Sequence, residues 1–105
     1  EMWGTFPDYY VKSPWLHESA ARWLAEHKPR AVVFDFFEEY CARKPDFTSE
    51  EFTVHRILLG SGIYLVEQGT NFRALRGHDA YVFPAFYKLN DSDGAPARLF
   101  AVIEE

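Results

Sequence analysis

The spacing of apolar residues in the first third of the chain predicts one amphipathic helix. Ser13-Pro14 is typical of a helix start, because serine caps open N–H groups and proline suits the first helical position. Residues spaced by three and four then form one apolar stripe, made of Leu16, Ala20, Trp23 and Leu24. Pro29 ends the helix. Residues 1–12 are rich in aromatics without a period and predict a loop, which we expect to pack on another surface, another chain being one candidate.

Two continuous apolar runs predict strands that are covered on both faces. The first run, Ala31 to Phe34, ends at Asp35, and the second, Ile63 to Val66, ends at Glu67. A short helical pattern between the two runs carries His55 near its start. The order helix, strand, helix, strand favours parallel pairing of the two strands.

The polar segment between the first strand and the second helix predicts an excursion from the core. Thr48 to Glu51 is typical of the residues that open a helix. Glu38 and Glu39 lie among aromatic residues, and we interpret this acidic pair as a solvated face rather than an acid/base pair.

The last third of the chain predicts a helical turn and then an antiparallel hairpin. Phe72 to Leu75 fits a single turn of helix. Tyr81 to Leu89 is a strand interrupted by Pro84, which favours an edge position or a bulge. Turn residues follow, and Arg98 to Ile103 alternates as the returning strand. The fold class that we predict is therefore α/β with a C-terminal antiparallel hairpin.

Composition and charge narrow the possible functions. The chain has 105 residues, 48% of them hydrophobic, which excludes disorder and predicts a single domain over residues 1–105. A net charge of −5 without a basic run argues against nucleic acid and membranes as partners. Cys41 is the single cysteine, and no apolar segment has the length of a membrane span, so we expect a cytoplasmic protein. His17 and His27 are expected to face solvent on the first helix.

His55 and Glu67 are the strongest candidates for chemistry, because imidazole and carboxylate are common ligands of zinc and manganese. Asp35 is a further candidate, since functional groups gather at the carboxyl ends of strands in open α/β sheets. An equally good interpretation of Asp35 is a structural carboxylate that accepts hydrogen bonds from the next loop. Two ligands do not make a metal site, so we expect the chain to carry part of one.

Five motifs stand in order along nearly the whole chain: Ser-Pro-Trp-Leu, Ala-Val-Val-Phe-Asp, Val-His-Arg-Ile-Leu-Leu-Gly-Ser-Gly-Ile, Glu-Gln-Gly-Thr-Asn-Phe and Asp-Gly-Ala-Pro-Ala-Arg. Together they resemble the C-terminal half of the cyclase family of metal-dependent hydrolases, which includes bacterial kynurenine formamidase and isatin hydrolase. The most specific part is His55 before a pair of leucines, with Glu67 and then Asn71 after it.

The resemblance implies a swivelling β/β/α fold and the hydrolysis of an amide or cyclic amide C–N bond by a metal-activated water. It implies that His55 and Glu67 are ligands of Zn²⁺ or Mn²⁺, and that Asp35 and Asn71 line the site. The family usually has a Thr-Pro-Ser turn after the residue matching Asp35, whereas this chain has Phe-Phe-Glu-Glu-Tyr. That departure affects the part of the substrate pocket near this loop.

The resemblance also implies a partner. In the family, the remaining ligands and the catalytic histidine lie in an N-terminal half with the motif His-x-Gly-Thr-His-x-Asp-x-Pro-x-His, which this sequence lacks. We therefore expect no catalytic residue in this chain, and an N-terminal half that is a separate polypeptide, a cleaved segment or an omitted part. A small-molecule substrate and a homo-oligomer are also expected. The alternative is a non-catalytic structural or interaction module that keeps the scaffold, with His55 as a core histidine hydrogen-bonded to Glu67.

Overall fold

The computed structural model describes residues 4–103 and is a mixed α/β arrangement with two small sheets. Its helices are α1 (Asp8–Lys12), α2 (Glu18–His27) and α3 (Thr53–Gly60), and its strands are β1 (Ala31–Val33), β2 (Tyr64–Val66), β3 (Ala80–Phe86) and β4 (Ala97–Ile103). Short 3₁₀ turns span Tyr40–Arg43, Ser49–Glu51 and Phe72–Leu75. Contacts group the chain into two compact units, of which the first ends at Gln68 and the second begins at Gly69. That the whole chain forms one domain stays a prediction.

The first unit is built around the pair β1 and β2. The strands run parallel with Ala31 opposite Tyr64 and Val33 opposite Val66, so the predicted parallel pairing is confirmed. Helices α2 and α3 pack against each other beside this pair. The buried core consists of Ala21, Phe34, Val54, Leu58 and Ile63. The alternation of short strands with amphipathic helices produces this core, because each element has an apolar side to cover.

The first long helix begins later than the sequence predicts. Helix α2 starts at Glu18, because the ring nitrogen Nδ1 of His17 accepts a hydrogen bond from the N–H of Ser19 at 3.2 Å and caps it. Ser13 instead ends α1, where its N–H donates to the carbonyl of Tyr9 at 3.1 Å. The predicted start at Ser13-Pro14 is therefore wrong. The predicted end before Pro29 is confirmed, since α2 ends at His27 and Lys28 follows in the left-handed region at φ 50°.

Trp23 does not belong to the buried stripe that the spacing predicts. Its side chain is 56% exposed, and its ring stacks on that of His27 with centroids 3.9 Å apart. The buried position on α2 is Ala21, which lies against the core. A small residue at this place lets α2 and α3 approach closely. His17 and His27 are both exposed, as predicted.

The N-terminal segment is partly helical rather than a loop. Helix α1 occupies Asp8–Lys12, and the prediction for residues 1–3 lies outside the described residues. The rings of Phe6, Tyr9 and Tyr10 pack edge-on against one another, and Tyr9 is buried. These aromatics therefore find part of their predicted packing surface within the chain itself.

The second unit contains the predicted antiparallel hairpin. Strands β3 and β4 pair from Ala80 opposite Ile103 to Phe86 opposite Ala97, and Pro84 lies opposite Leu99. Proline is tolerated here because each strand of a two-stranded sheet is an edge. One face of the hairpin carries exposed apolar side chains, namely Tyr81, Phe83, Phe100 and Val102. Among residues 4–103, no helix combines the length and apolar character that crossing a membrane requires.

Candidate metal centre

Three segments of the first unit bring their side chains together beyond the carboxyl ends of β1 and β2. Glu38 lies in the connection that follows β1, His55 lies in the first turn of α3, and Glu67 directly follows β2. Parallel pairing places the ends of β1 and β2 at the same edge, and Phe34 N–H extends the ladder by donating to Val66 O at 2.8 Å. This edge is where open α/β sheets hold functional groups.

The side chains of Glu38, His55 and Glu67 each offer one ligand atom, and these atoms all lie within 4.8 Å of one another. The Nε2 atom of His55 is 3.7 Å from Oε1 of Glu67, and its Nδ1 atom is 3.0 Å from Oε1 of Glu38. The side-chain exposures are 0% for Glu38, 20% for His55 and 33% for Glu67. The group is therefore closed on the Glu38 side and reaches solvent beside Glu67.

Glu38 has an unusual environment for a carboxylate. It is fully buried, and neither of its side-chain oxygens accepts a hydrogen bond from any described residue. The nearby imidazole of His55 is the cation available to it when protonated. Burying a charge without partners costs several kcal/mol, so such groups in proteins are paired, neutralised or bound to metals.

Glu39 is also buried, but both oxygens of its carboxylate accept hydrogen bonds. Its Oε2 atom accepts a hydrogen bond from the N–H of Thr53 at 3.1 Å, and its Oε1 atom accepts one from the N–H of His55 at 2.8 Å. Oε1 also lies 3.1 Å from Nδ1 of His55 in hydrogen-bonding geometry. Phe52, the residue before α3, provides no side-chain cap. Glu39, which lies well before α3 in the sequence, therefore caps the start of this helix and also binds the imidazole of His55.

The interpretation of Glu38 and Glu39 as a solvated face is wrong. Their exposures are 0% and 2%, and both side chains point at the start of α3. For Glu39 the physical reason is that the open N–H groups at the start of α3 need acceptors, and its carboxylate satisfies two of them, whereas Glu38 lies beside the imidazole of His55. The sequence signal that could have found the two residues is their position a few residues after the end of an apolar strand.

The excess of negative charge shifts the pKa values in this group. Burial lowers the pKa of His55, but the carboxylates of Glu38 and Glu39 outweigh it and raise the pKa to about 10. Burial raises the pKa of Glu67, and repulsion from Glu38 adds to it, so that the pKa reaches about 7 although His55 opposes the rise. The group thus holds protons that a bound cation could replace.

Asp35 and Asn71 stay predictions as residues that line the site. Asp35 is exposed and is not one of the three clustered donors. Asn71 belongs to the second unit, where it precedes the turn Phe72–Leu75 in a left-handed conformation with φ 66°. The structure thus brings together His55 and Glu67 and adds Glu38 to them.

One imidazole nitrogen and two carboxylates form a donor set that suits Zn²⁺ or Mn²⁺. The buried carboxylate of Glu38 accepts no hydrogen bond from the described residues, and it fits such a cation because the cation would replace the positive charge of protonated His55. Comparison of the chain with family models, with curated proteins and with solved structures gives no match. The case for a metal site therefore depends on the geometry of these residues.

Proposed function

We propose that this chain supplies three ligands to a divalent metal site in a hydrolase of the cyclase type, which acts on an amide or cyclic amide C–N bond. The observation that carries the proposal is that ligand atoms of Glu38, His55 and Glu67 lie within 4.8 Å of one another, while the buried Glu38 carboxylate accepts no hydrogen bond from the part of the chain that the structure describes. The sequence motifs around His55 and Glu67 support the same class of enzyme.

Each of the three side chains has a distinct role in this proposal. His55 provides a neutral nitrogen, and Glu38 and Glu67 provide oxygen ligands whose two charges balance those of a divalent cation. Such a cation, when bound, lowers the pKa of a coordinated water from about 16 towards 7 and polarises a carbonyl group. Two carboxylate ligands bind the cation more tightly than a single carboxylate does, but they also leave less net positive charge on the site. We therefore expect Glu38 to favour binding of the cation at some expense of its Lewis acidity.

We further propose that a companion segment completes the site. Among the described residues, His55 is the single imidazole in the cluster, and His17 and His27 are exposed on α2. A companion with the motif His-x-Gly-Thr-His-x-Asp would add the remaining ligands and the catalytic histidine. This chain would then bind and position the cation, and the companion would carry the proton-transfer chemistry.

Metal binding and hydrolysis can be tested separately. We expect Zn²⁺ or Mn²⁺ to bind the chain weakly in calorimetric titrations, and the binding to weaken at least tenfold in Glu38→Gln and Glu67→Gln. Glu26→Gln, at an exposed position of α2, is the matched control and should bind like the original chain. The chain alone should not hydrolyse N-formylkynurenine or isatin, and addition of a companion segment should give activity. The proposal would be refuted if the original chain and all three variants bound the metal equally well, or if the chain alone were fully active.

The second candidate function is a non-catalytic structural or interaction module. The hydrogen bonds of Glu39 to Thr53 and His55 favour it, because they stabilise the start of α3 without any metal. The hydrogen bond between His55 and Glu67 that this alternative predicts is absent, since Nε2 of His55 and Oε1 of Glu67 are 3.7 Å apart. His55→Ala separates the two functions. If the variant lowers the melting temperature but leaves the activity of the full assembly unchanged, the module interpretation is correct.

A further inference from the structure

We infer that Glu39 is a positioning residue that holds the imidazole of His55 with Nδ1 as donor, so that Nε2 is left to bind the cation. This inference rests on the proposed function and goes beyond it, because Glu39 is not one of the three clustered donors.

The carboxylate of Glu39 is held rigidly. One oxygen accepts from the backbone N–H of Thr53 and the other from the backbone N–H of His55, at 3.1 and 2.8 Å. Both donors belong to the first turn of α3, so the carboxylate and the helix that carries His55 form one unit. The side chain is 3% exposed and has little room to rotate. A group fixed in this way can determine the orientation of its neighbour.

Adjacent Glu38 shows why the imidazole donates to Glu39. The Oε1 atoms of Glu38 and Glu39 are almost equally near to Nδ1 of His55, at 3.0 and 3.1 Å. Of these two contacts only the one to Glu39 has hydrogen-bonding geometry, and no described residue donates a hydrogen bond to either oxygen of Glu38. An ionised carboxylate can only accept, so Nδ1 carries the proton. Glu39 therefore binds the ring, and Glu38 keeps its oxygens available for a cation.

The opposite ring nitrogen faces the exposed side of the cluster. Nε2 of His55 is the atom near Oε1 of Glu67, at 3.7 Å, which is too far for a hydrogen bond. Phe52 and Phe37 flank the imidazole, with ring centroids 5.0 and 6.4 Å from it. These rings restrict rotation of the imidazole about its own axis. The Glu39 carboxylate would thus accept from Nδ1 of His55 while Nε2 binds the cation, which is the arrangement of many histidine metal sites.

The test uses Zn²⁺ alone as the probe. We expect Glu39→Gln and Glu39→Ala to weaken Zn²⁺ binding about 10–100-fold in competition with a chelator. In the original chain loaded with Zn²⁺, ¹⁵N NMR of the His55 ring should show a protonated Nδ1 and a metal-bound Nε2. Both variants should lose this single tautomer. Glu39→Gln keeps an oxygen acceptor for the N–H groups of α3, so we expect this variant to fold, which circular dichroism checks. If Glu39→Ala unfolds, the comparison of Zn²⁺ affinities uses Glu39→Gln alone.

The matched control is Glu51→Gln. Glu51 caps the neighbouring 3₁₀ turn through the N–H of Thr48 at 3.4 Å and does not contact His55. We expect this variant to keep both the Zn²⁺ affinity and the His55 tautomer of the original chain. If Glu39→Gln binds Zn²⁺ as tightly as this control with the same tautomer, the inference about Glu39 is wrong and the metal site stands. If the original chain binds no Zn²⁺, the proposed function fails and the inference fails with it.

Discussion

Glu38 and Glu39 are neighbours in the chain and both are buried, but among the described residues only the side chain of Glu39 has hydrogen-bond partners. Backbone N–H groups of α3 compensate the Glu39 carboxylate, whereas Glu38 lies 3.0 Å from Nδ1 of His55 and is compensated by that ring when the ring is protonated. Glu39 therefore stabilises the fold, while the cost of burying Glu38 is offset by protonated His55 or by a bound cation.

This difference predicts effects of different size for the same substitution at the two positions. In the metal-free protein, we expect Glu38→Gln to change the free energy of unfolding by at most about 1 kcal/mol, because the cost of burying the carboxylate and its attraction to protonated His55 largely cancel. Glu39→Gln should lower the free energy of unfolding by about 1–2 kcal/mol, because a helix cap is weakened. Chemical denaturation with a chelator present measures both. Destabilisation of equal size in both variants would show that the attraction between Glu38 and His55 outweighs the cost of burying the carboxylate.

The pKa values of His55 and Glu67 predict that the metal-free protein loses stability as the pH rises. Both pKa values are higher in the folded chain than their ordinary values of 6.5 and 4.5, so the folded state binds more protons than the unfolded state. The contribution of Glu67 is complete below pH 4.5 and is lost as the pH passes about 7. The contribution of His55 is complete below pH 6.5 and is lost as the pH passes about 10.

Melting temperatures measured from pH 5 to pH 9 with a chelator test this expectation. After allowance for solvent exposure, we expect the free energy of unfolding to fall by about 1–2 kcal/mol in total. For a domain of this size, each kcal/mol lowers the melting temperature by about 4–8 °C. Glu67→Gln should remove the change around pH 7 and is the control. Saturating Zn²⁺ should reverse the trend, because its ligands must be deprotonated. A melting temperature that rises steadily with pH in the chelator would contradict the pKa shifts.

The neighbouring leucines of α3 predict how firmly the helix is anchored. Leu58 is 0% exposed and lies in the core, whereas Leu59 is 51% exposed. We expect Leu58→Ala to lower the free energy of unfolding by about 2–5 kcal/mol through the loss of buried contacts and the cavity left behind. Leu59→Ala should change it by at most about 0.5 kcal/mol. Urea denaturation compares the two, and similar losses would mean that α3 is packed differently.

The C-terminal end of α2 predicts a stabilising substitution. Lys28 has a left-handed backbone with φ 50°, which glycine adopts without strain. We expect Lys28→Gly to raise the free energy of unfolding by about 0.5–1 kcal/mol. Glu26→Gly, inside the same helix, is the matched control and should lower it by about 1 kcal/mol. If both glycine variants are destabilised equally, the end of α2 does not have this conformation.

Local sequence patterns predicted most of the secondary structure correctly. The continuous apolar runs correspond to β1 and β2, the pattern around His55 to α3, and the turn residues before Arg98 to the hairpin. These elements depend on periodicity and turn chemistry over a few residues. The start of α2 was predicted wrongly, because Ser13 closes α1 and the ring of His17 caps α2.

The sequence by itself determined the order of the elements, the parallel and antiparallel pairings, and His55 and Glu67 as the pair to examine. Tertiary structure alone decided that Glu38 and Glu39 are buried and that they divide the roles of unpaired acceptor and helix cap. The reason is distance along the chain. Glu39 meets its partners on α3 only after the intervening excursion folds back, and no local pattern records which carboxylate will face the open N–H groups of a distant helix.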